Sequence, residues 1–536
     1  VMVKGTSMGA ATDQFGNFIL DDLAVGSYTI YVTMIGYKSV NRSNVHVVPK
    51  RTTTINFSLN QSILEGDGVE VTATYFENMK DAVTSSRTVD IEEIRSDPVG
   101  SYDIMTMMQA LPSVVSGSDQ SNEIIVRGGS HGENLFVMDF LEIPYPNHYP
   151  EQGKGGGPIT MVDTEFIERI DFYAGAFPAR YGEKLSSVMD VTLREGNIHS
   201  HHQQMDINMA GFGFTFEGPL SPKSSYFYSL KRSFLDFVIS STGMQAIPEY
   251  WSSQGKIAYH LSPTQKIYIN FIGGIDKINI EGEDNPQLRG AENVDYSSWQ
   301  TTLGVTYKNL FSKKGYFQSS IGRSLVHLNT NVYELNDNPT RNYYYRNNDL
   351  ESDYSFRSEV VYKLFDNVEI SSGLSAKHVE LDFDNWYKNN PTYIYGYSLS
   401  ESEIPQLITK VKFDTTYFGK QYFYTIIDSV GTLDTLKTNA LLEYNKVGGF
   451  FHFNLNPLQK VEISIGGRFD YMTFTDESDF SPRFGFKYHL SPIWKFNFSA
   501  GRYFQAPFNT QLNSMRGTPS ELTNYFTDQM VGGFEY

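Results

Sequence analysis

EIIVRGGSHGENLFVMDFLEIPYP, from Glu123 to Pro146, and FIERIDFYAGAFPARYGEKLSSVMDVTLR, from Phe166 to Arg194, decide the fold of this chain. A glycine-rich bend, Gly153–Gly157 with Pro158, lies between them. Glu123–Arg127, Asn134–Asp139, Ile170–Tyr173 and Val188–Leu193 read as strands and Asp163–Arg169 as a helix. Upstream, Ser101-Tyr102-Asp103 caps a short helix, DIMTMMQA, that stops at Leu111-Pro112. Alone, this is a small mixed domain. Its position matters more: it leads directly into a long series of alternating, aromatic-rich strands. A globular domain ahead of a membrane-type barrel is expected to plug it, and a plugged pore implies gated transport.

The strands occupy about 204–536. In Val461–Tyr471, one face carries Val461, Ile463, Ile465, Gly467, Phe469 and Tyr471, and the other Glu462, Ser464, Gly466, Arg468 and Asp470. The same alternation sets Ile267, Ile269 and Phe271 against Tyr268 and Asn270. It also sets Leu303, Val305 and Tyr307 against Thr302, Gly304 and Thr306, and Phe484, Phe486 and Tyr488 against Arg483, Gly485 and Lys487. Alternation alone fits a sandwich or a barrel; the connections separate them. Short turns fall at Pro219–Pro222, Leu261–Pro263, Phe311–Gly315, Phe365–Asn367, Leu455–Pro457 and Leu490–Pro492, with mostly longer polar segments between. Short turns on one rim and long loops on the other fit an outer-membrane barrel. The turns imply about fourteen strands, from Gln204–Met209 to Met530–Tyr536, whereas plugged transporters have ~22. The expectation is a chain truncated at both ends that does not by itself close a barrel, because lipid does not tolerate an open sheet edge.

Composition agrees. Tyr (36), Phe (38) and Trp (4) make up 15% of the 536 residues, as aromatic girdles require, although a large soluble β-protein is also compatible. No run reaches the ~18 apolar residues of a membrane helix, and the sequence from Val1 shows none of the features of a signal peptide, as expected of an N-terminus that has been removed or was never included. Absence of cysteine excludes disulfides, thiolate metal sites and cysteine nucleophiles. A net charge of −18 argues against nucleic acid as a partner.

Residues 1–62 read as a small, incomplete β-sandwich, with strands Phe18-Ile19-Leu20, Tyr28–Val32 and Thr54–Leu59 between turn signals. A linker, 63–77, contains the β-prone segment Val69-Glu70-Val71-Thr72-Ala73. It is either a strand offered to a partner's sheet edge, the first plug strand, or plain linker.

Two resemblances follow from these residues. GTSMGAATDQFGNFILDDLAVGSYTIYVTMIGYKS is similar to the carboxypeptidase-regulatory-like domain that precedes the plug in many Bacteroidetes outer-membrane receptors. LPSVVSGSDQSNEIIVRGGSHGENLFVMD, followed by IERIDFYAGAFPARYGEKLSSVMDVTLR, resembles the plug of TonB-dependent outer-membrane transporters. The chain departs from that pattern at Asp139-Phe140, where the family often has Asp-Gly, and at Gly175-Ala176, where it often has Gly-Pro. The resemblance implies a β-sandwich, an α+β plug over 78–197 and an antiparallel transmembrane β-barrel over 204–536. It also implies an outer-membrane location in a Gram-negative bacterium, with the N-terminal domain periplasmic and TonB pairing with Val69–Ala73. No cofactor is expected. The cargo stays open among siderophore, glycan, peptide and cobalamin. A binding receptor or adhesin without transport, and a membrane-barrel hydrolase, remain alternatives.

Candidate site residues follow from the same pattern. Arg127-Gly128-Gly129, Asp139 and Arg180-Tyr181-Gly182 are expected to hold the plug, with Glu462 and Asp470 as candidate wall partners for the arginines. Tyr145, Asn147, His148 and Tyr149 in the plug apex, and Trp386 and Tyr387 in a long loop spanning Asn385–Lys437, are candidate solute contacts, as is Tyr343–Arg346. His199, His201 and His202 lack a nearby carboxylate at ligand spacing, Gly153-Lys154-Gly155 lacks the spelling of a phosphate loop, and Glu281–Asp284 reads as a solvated turn. No metal site or catalytic cluster is expected.

Overall fold

The computed structural model describes residues 1–47, 86–234, 246–280, 293–335, 341–398, 413–430 and 435–536, with breaks of one to five residues inside several of these spans, and also Ile55, Phe57 and Leu59. Val69–Ala73, Gly153–Gly155 and Glu281–Asp284 lie outside the described residues.

At the N-terminus β1 (Met2–Val3), β2 (Gly26–Val32) and β3 (Val40–Val47) form one antiparallel sheet. Val3, Ile30 and Val32 are its core, and Leu20, Ile55, Phe57 and Leu59 pack on it. The strand expected at Phe18–Leu20 is not formed, Leu20 packing on the sheet while Ile19 is exposed, and the one expected at Thr54–Leu59 lies in part outside the described residues.

The plug is built on β4 (Ser86–Asp90), β5 (Val114–Ser116), β6 (Ile124–Val126), β7 (Asn134–Met138), β8 (Leu141–Glu142), β9 (Ile167–Tyr173) and β10 (Ser187–Leu193). Five of these form a sheet ordered β4-β9-β10-β7-β8, in which only β10 and β7 run parallel. Two short helices, α1 (Ile91–Ser96) and α2 (Ile104–Met108), cover it; the Asp90 and Asp103 side chains cap them by accepting bonds from their first-turn N–H groups. Val89, Ile104, Met108, Phe136, Ile170 and Val191 lie in the buried core between helices and sheet. The helix expected over Asp163–Arg169 is a single 3₁₀ turn, Thr164–Phe166, that runs into β9. Phe166, Ile167 and Ile170 satisfy a helical period locally, but pairing of β9 with both β4 and β10 prevails.

The large sheet takes β11 (His202–Asn208), β12 (Gly211–Ser221), β13 (Ser224–Arg232), β14 (Ala246–Ser262), β15 (Gln265–Ile280), β16 (Asn293–Ser312), β17 (Gly315–Leu335), β18 (Arg341–Phe365) and β19 (Val368–Lys388) in chain order. An insertion then forms its own three-stranded sheet from β20 (Thr392–Ser398), β21 (Phe413–Tyr417) and β22 (Lys420–Val430). The large sheet resumes with β23 (Thr435–Leu458), β24 (Val461–Met472), β25 (Glu477–His489), β26 (Lys495–Gln505) and β27 (Tyr525–Glu535), giving fourteen antiparallel strands. Between β26 and β27 a loop carries a third helix, α3 (Asn509–Ser514). The segment expected as one long loop, Asn385–Lys437, is thus partly strand: Trp386 and Tyr387 belong to the end of β19.

Exposure separates barrel from sandwich. Leu303, Ile321 and Leu374 on the outward face are 52, 67 and 65% exposed, while their inward neighbours Thr302, Ser320 and Gly373 are buried. A soluble sandwich would bury its apolar face; here that face meets the surroundings and the polar face is covered by the plug, as in a membrane barrel. β18 is 25 residues long, well beyond the roughly 10 residues that cross a bilayer, so the wall continues past the apolar band.

Candidate functional site between plug and wall

The plug meets the wall through ion pairs that the fold assembles from distant segments. At the end of β7 the chain turns through two successive left-handed residues, Asp139 (φ 47°) and Phe140 (φ 73°). Phe140 therefore holds a conformation in which glycine is free of strain, at the position where the family often has glycine. Its ring lies under the guanidinium of Arg357 on β18, at 4.2 Å. The turn aims Asp139 at the wall, where its Oδ2 stands 2.7 Å from Lys256 Nζ on β14, both side chains 2% exposed. The contact is an ion pair by distance without aligned hydrogen-bond geometry. Lys256 donates instead to the Leu193 carbonyl, and Asp139 Oδ1 accepts from Leu193 N–H.

Arg180 also reaches the wall, but at a different strand from the one expected. Its Nη1 is 3.5 Å from Glu359 Oε1 on β18, and its carbonyl accepts a bond from Arg357. Asp470 is taken by Arg468, two residues away on the same face of β24, at 2.5 Å; Glu462 is taken by His489 and Lys487. Local pairing on the wall satisfies both carboxylates. Tyr181 donates to Asp190 within the plug. Gly182 admits the wall: a Cβ there would stand 1.9 Å from Arg468 Nε. Arg127 is exposed, with φ 51°, and its guanidinium lies over Gly175, near Tyr503 on β26. Gly128 (φ 78°) and Gly129, whose Cβ would collide with Ser186, shape that turn within the plug. At the second family departure, Ala176 also has a left-handed φ of 50°.

The apex residues are engaged with the wall. Tyr145 donates to Glu351 on β18 at 3.1 Å. Asn147 accepts from Asn122 through its side chain and from Gln300 through its carbonyl. His148 Nδ1 lies 2.5 Å from Asp276 Oδ1 on β15, both fully buried, and its ring rests on Tyr250. Tyr149 N–H and Ser298 donate to the other oxygen of Asp276. Trp386 and Tyr387 stand apart from this group. Trp386 pairs in register with Arg346 and shares the outer face with Asn329, Asn331 and Asn348, while Tyr387 follows the inward parity of Leu381 and Phe383.

Reasoning from motifs missed the wall side: Lys231, which holds Asp163 at 2.9 Å, and Lys256, Asp276, Glu359, Lys377 and Lys446. Lys377 pairs with Glu142 at 2.7 Å and Lys446 with Glu183 at 3.0 Å. Strand parity was an available signal: Ser252, Gln254, Lys256 and Ala258 alternate with Trp251, Ile257 and Tyr259 and are the buried set. Small wall residues also receive the plug. A Cβ at Gly304 would stand 2.4 Å from Leu141 Cδ1, so the glycine leaves a slot for that side chain. Among the described residues no group of three His, Asp or Glu is placed to hold a metal ion.

Burial raises the Glu142 carboxyl, but the Lys377 ammonium prevails and holds it down to about 2. Glu183 is likewise held below its ordinary value by Lys446 against burial. A depressed carboxyl adds stability above its unfolded value and loses it as protons return. The seating of β8 is therefore expected to be intact above pH 4.5 and to weaken as pH falls from 4.5 towards 2. Glu142 is 36% exposed to the lumen, which screens the pair. Hydrogen exchange at β8, corrected for intrinsic rate, should rise across that window while β15–β17 stay constant. Glu142→Gln should abolish the trend.

Comparison with known proteins follows this geometry. The model of the carboxypeptidase regulatory-like domain matches residues 1–60 and that of the TonB-dependent receptor plug domain 78–187. The TonB dependent receptor-like β-barrel model matches 249–533, more than half of the chain. A curated relative, the vitamin B12 transporter BtuB of Vibrio vulnificus, is 22% identical over 265 residues, covering 48% of this chain and 39% of its own. Among solved structures, the siderophore receptor PirA from Acinetobacter baumannii superposes with a TM-score of 0.54 at 16% identity, over 80% of this chain and 62% of its own. The outer membrane transporter YddB from Escherichia coli gives 0.56 at 13%, over 84% and 67%. At such identities the likeness is one of fold. The chain spans about two fifths of the curated relative and about three fifths of the siderophore receptor.

Proposed function

The chain belongs to the TonB-dependent receptor family, and from that premise we propose that it imports a scarce solute across the outer membrane by force-driven displacement of its plug. One observation carries the reading: beside apolar contacts at Phe227, Ile272 and Tyr503, the plug is held to the wall by ion pairs and hydrogen bonds from many strands. Water can replace such contacts one at a time, so the plug yields in steps while the wall keeps its ladders.

Solute arriving from outside meets the outer loops and the half-buried Tyr149; Tyr145, Asn147 and His148, expected as solute contacts, are buried against the wall. Val69–Ala73 is the periplasmic handle on which TonB adds a strand, with main-chain bonds supplying the grip. Tension from that side reaches β4 first. This strand is an edge of the plug sheet, paired among the described residues with β9 alone, from Ser86↔Tyr173 to Asp90↔Arg169. Peeling β4 and α1 leaves β9, β10, β7 and β8 in place with the contacts of Asp139, Glu142, Arg180 and Glu183. The displaced part is then the N-terminal edge, and Asp139 and Arg180 hold what remains.

Deleting Val69–Ala73 in the whole receptor tests this. Accumulation of a radiolabelled solute that wild-type cells take up should vanish, while its binding to the cell surface persists. Uptake that survives the deletion defeats the coupling.

A further inference from the structure

A cavity of about 140 Å³ lies between the plug and strands β18, β19 and β23. The loop after β26 folds over it: Leu512 of α3 is fully buried with Leu381, Phe383 and Tyr444, and Tyr444 donates to Asn509 at 3.1 Å. Four carboxylates line the cavity, Glu142, Glu183, Glu351 and Asp353, against three ammonium groups, Lys184, Lys377 and Lys446. His131 also lines it, 3.5 Å from Glu123, outside this set. Lys377 is shared between Glu142 and, at 3.8 Å, Asp353, and Lys446 serves Glu183. Lys184 donates to the Gly132 carbonyl, and burial lowers it to about 8.

The surplus negative charge falls on Glu351. It is 7% exposed, its Oε2 accepts from Tyr145, and its Oε1 has no hydrogen-bond partner among the described residues. The Asn509 amide approaches it without hydrogen-bond geometry. Asp349 and Asp353, two residues either side on the same face, add like charge. A buried carboxylate in that setting calls for a cation or a proton. Tyr145, Tyr444 and Phe508 line the same cavity, and the faces of aromatic rings attract an organic cation.

We propose that this cavity is a subsite for a primary ammonium or guanidinium group, the cationic end of the solute the receptor carries. The proposal rests on the import reading for the word solute, but the subsite is testable without transport. Calorimetric titration of the purified whole receptor with n-butylammonium chloride should give saturable binding, and the neutral isostere n-butanol should give none. Glu351→Gln should weaken ammonium binding at least about 10-fold, the scale of one charge-assisted hydrogen bond. Glu380→Gln, whose side chain is partly exposed beside His378, should leave it unchanged. Equal binding of butanol, unchanged affinity in Glu351→Gln, or Glu351-dependent binding of calcium chloride in place of the ammonium each overturns the subsite. Should Glu351→Gln fail to fold, the wild-type preference between ammonium and alcohol decides alone. Deleting Val69–Ala73 should not alter this binding, so loss of uptake there with no ammonium binding here refutes the substrate class and leaves the import reading standing.

Discussion

Replacing Lys256 by methionine is expected to loosen the seated plug by about 3–5 kcal/mol, the usual cost of leaving one partner of a buried ion pair behind. Lys308 lies within electrostatic reach of Asp139, but among the described residues Lys256 is the cation in ion-pair contact with it. Its carboxylate is 2% exposed, and its conformation is fixed by consecutive left-handed residues, so it cannot swing to water. The Leu193 carbonyl would lose its lysine donor as well. Hydrogen exchange should accelerate in β7, β8 and β10, and cells carrying the variant should become sensitive to vancomycin, which intact outer membranes exclude. The double variant Asp139→Asn, Lys256→Met removes both charges together and should recover most of the loss, because neither charge is then buried alone. If Lys256→Met keeps wild-type exchange rates, the pair does not hold the plug, and Arg180–Glu359 becomes the principal contact.

The barrel was legible in the sequence because lipid on one side and a wet plug on the other enforce a strict period of two. Val461–Tyr471 shows it: Ile465 and Phe469 are exposed, while Ser464, Gly466 and Arg468 are buried. Short turns were equally plain, and fourteen strands resulted. Outside the membrane that constraint lapses, so β20–β22 read as loop. Within the plug, Phe166, Ile167 and Ile170 fit a helical period, and pairing with β4 and β10 overrides it. The wall partners were least legible. Parity correctly puts Asp470 on the inward face, but Arg468 on that same face claims it. Which inward residue meets which plug residue depends on the rotation of the plug inside the barrel, a relation between segments more than a hundred residues apart, such as Asp139 and Lys256.

The glycine of Arg180-Tyr181-Gly182 illustrates the same dependence and carries the second large effect. Gly182 does not occupy a left-handed conformation, so its backbone accepts any residue; the requirement is space. A Cβ would stand 1.9 Å from Arg468 Nε and 2.5 Å from its Cζ. Arg468 cannot yield cheaply, because its guanidinium is 6% exposed and fixed by two contacts to Asp470, at 2.8 and 2.5 Å, and one to Ser375 at 3.2 Å. Gly182→Val must either expel the arginine, leaving Asp470 unpaired, or lift the plug from β24. Either route is expected to cost about 3 kcal/mol or more, with Gly182→Ala costing less. Limited proteolysis of the plug in native membranes would read the loosening. A double-mutant cycle separates the cause: with Arg468→Ala and Asp470→Asn already in place, Gly182→Val should add little, because the space is then open. Fully additive costs would place the strain inside the plug, and the role of Gly182 as the seat for the wall arginine would fall.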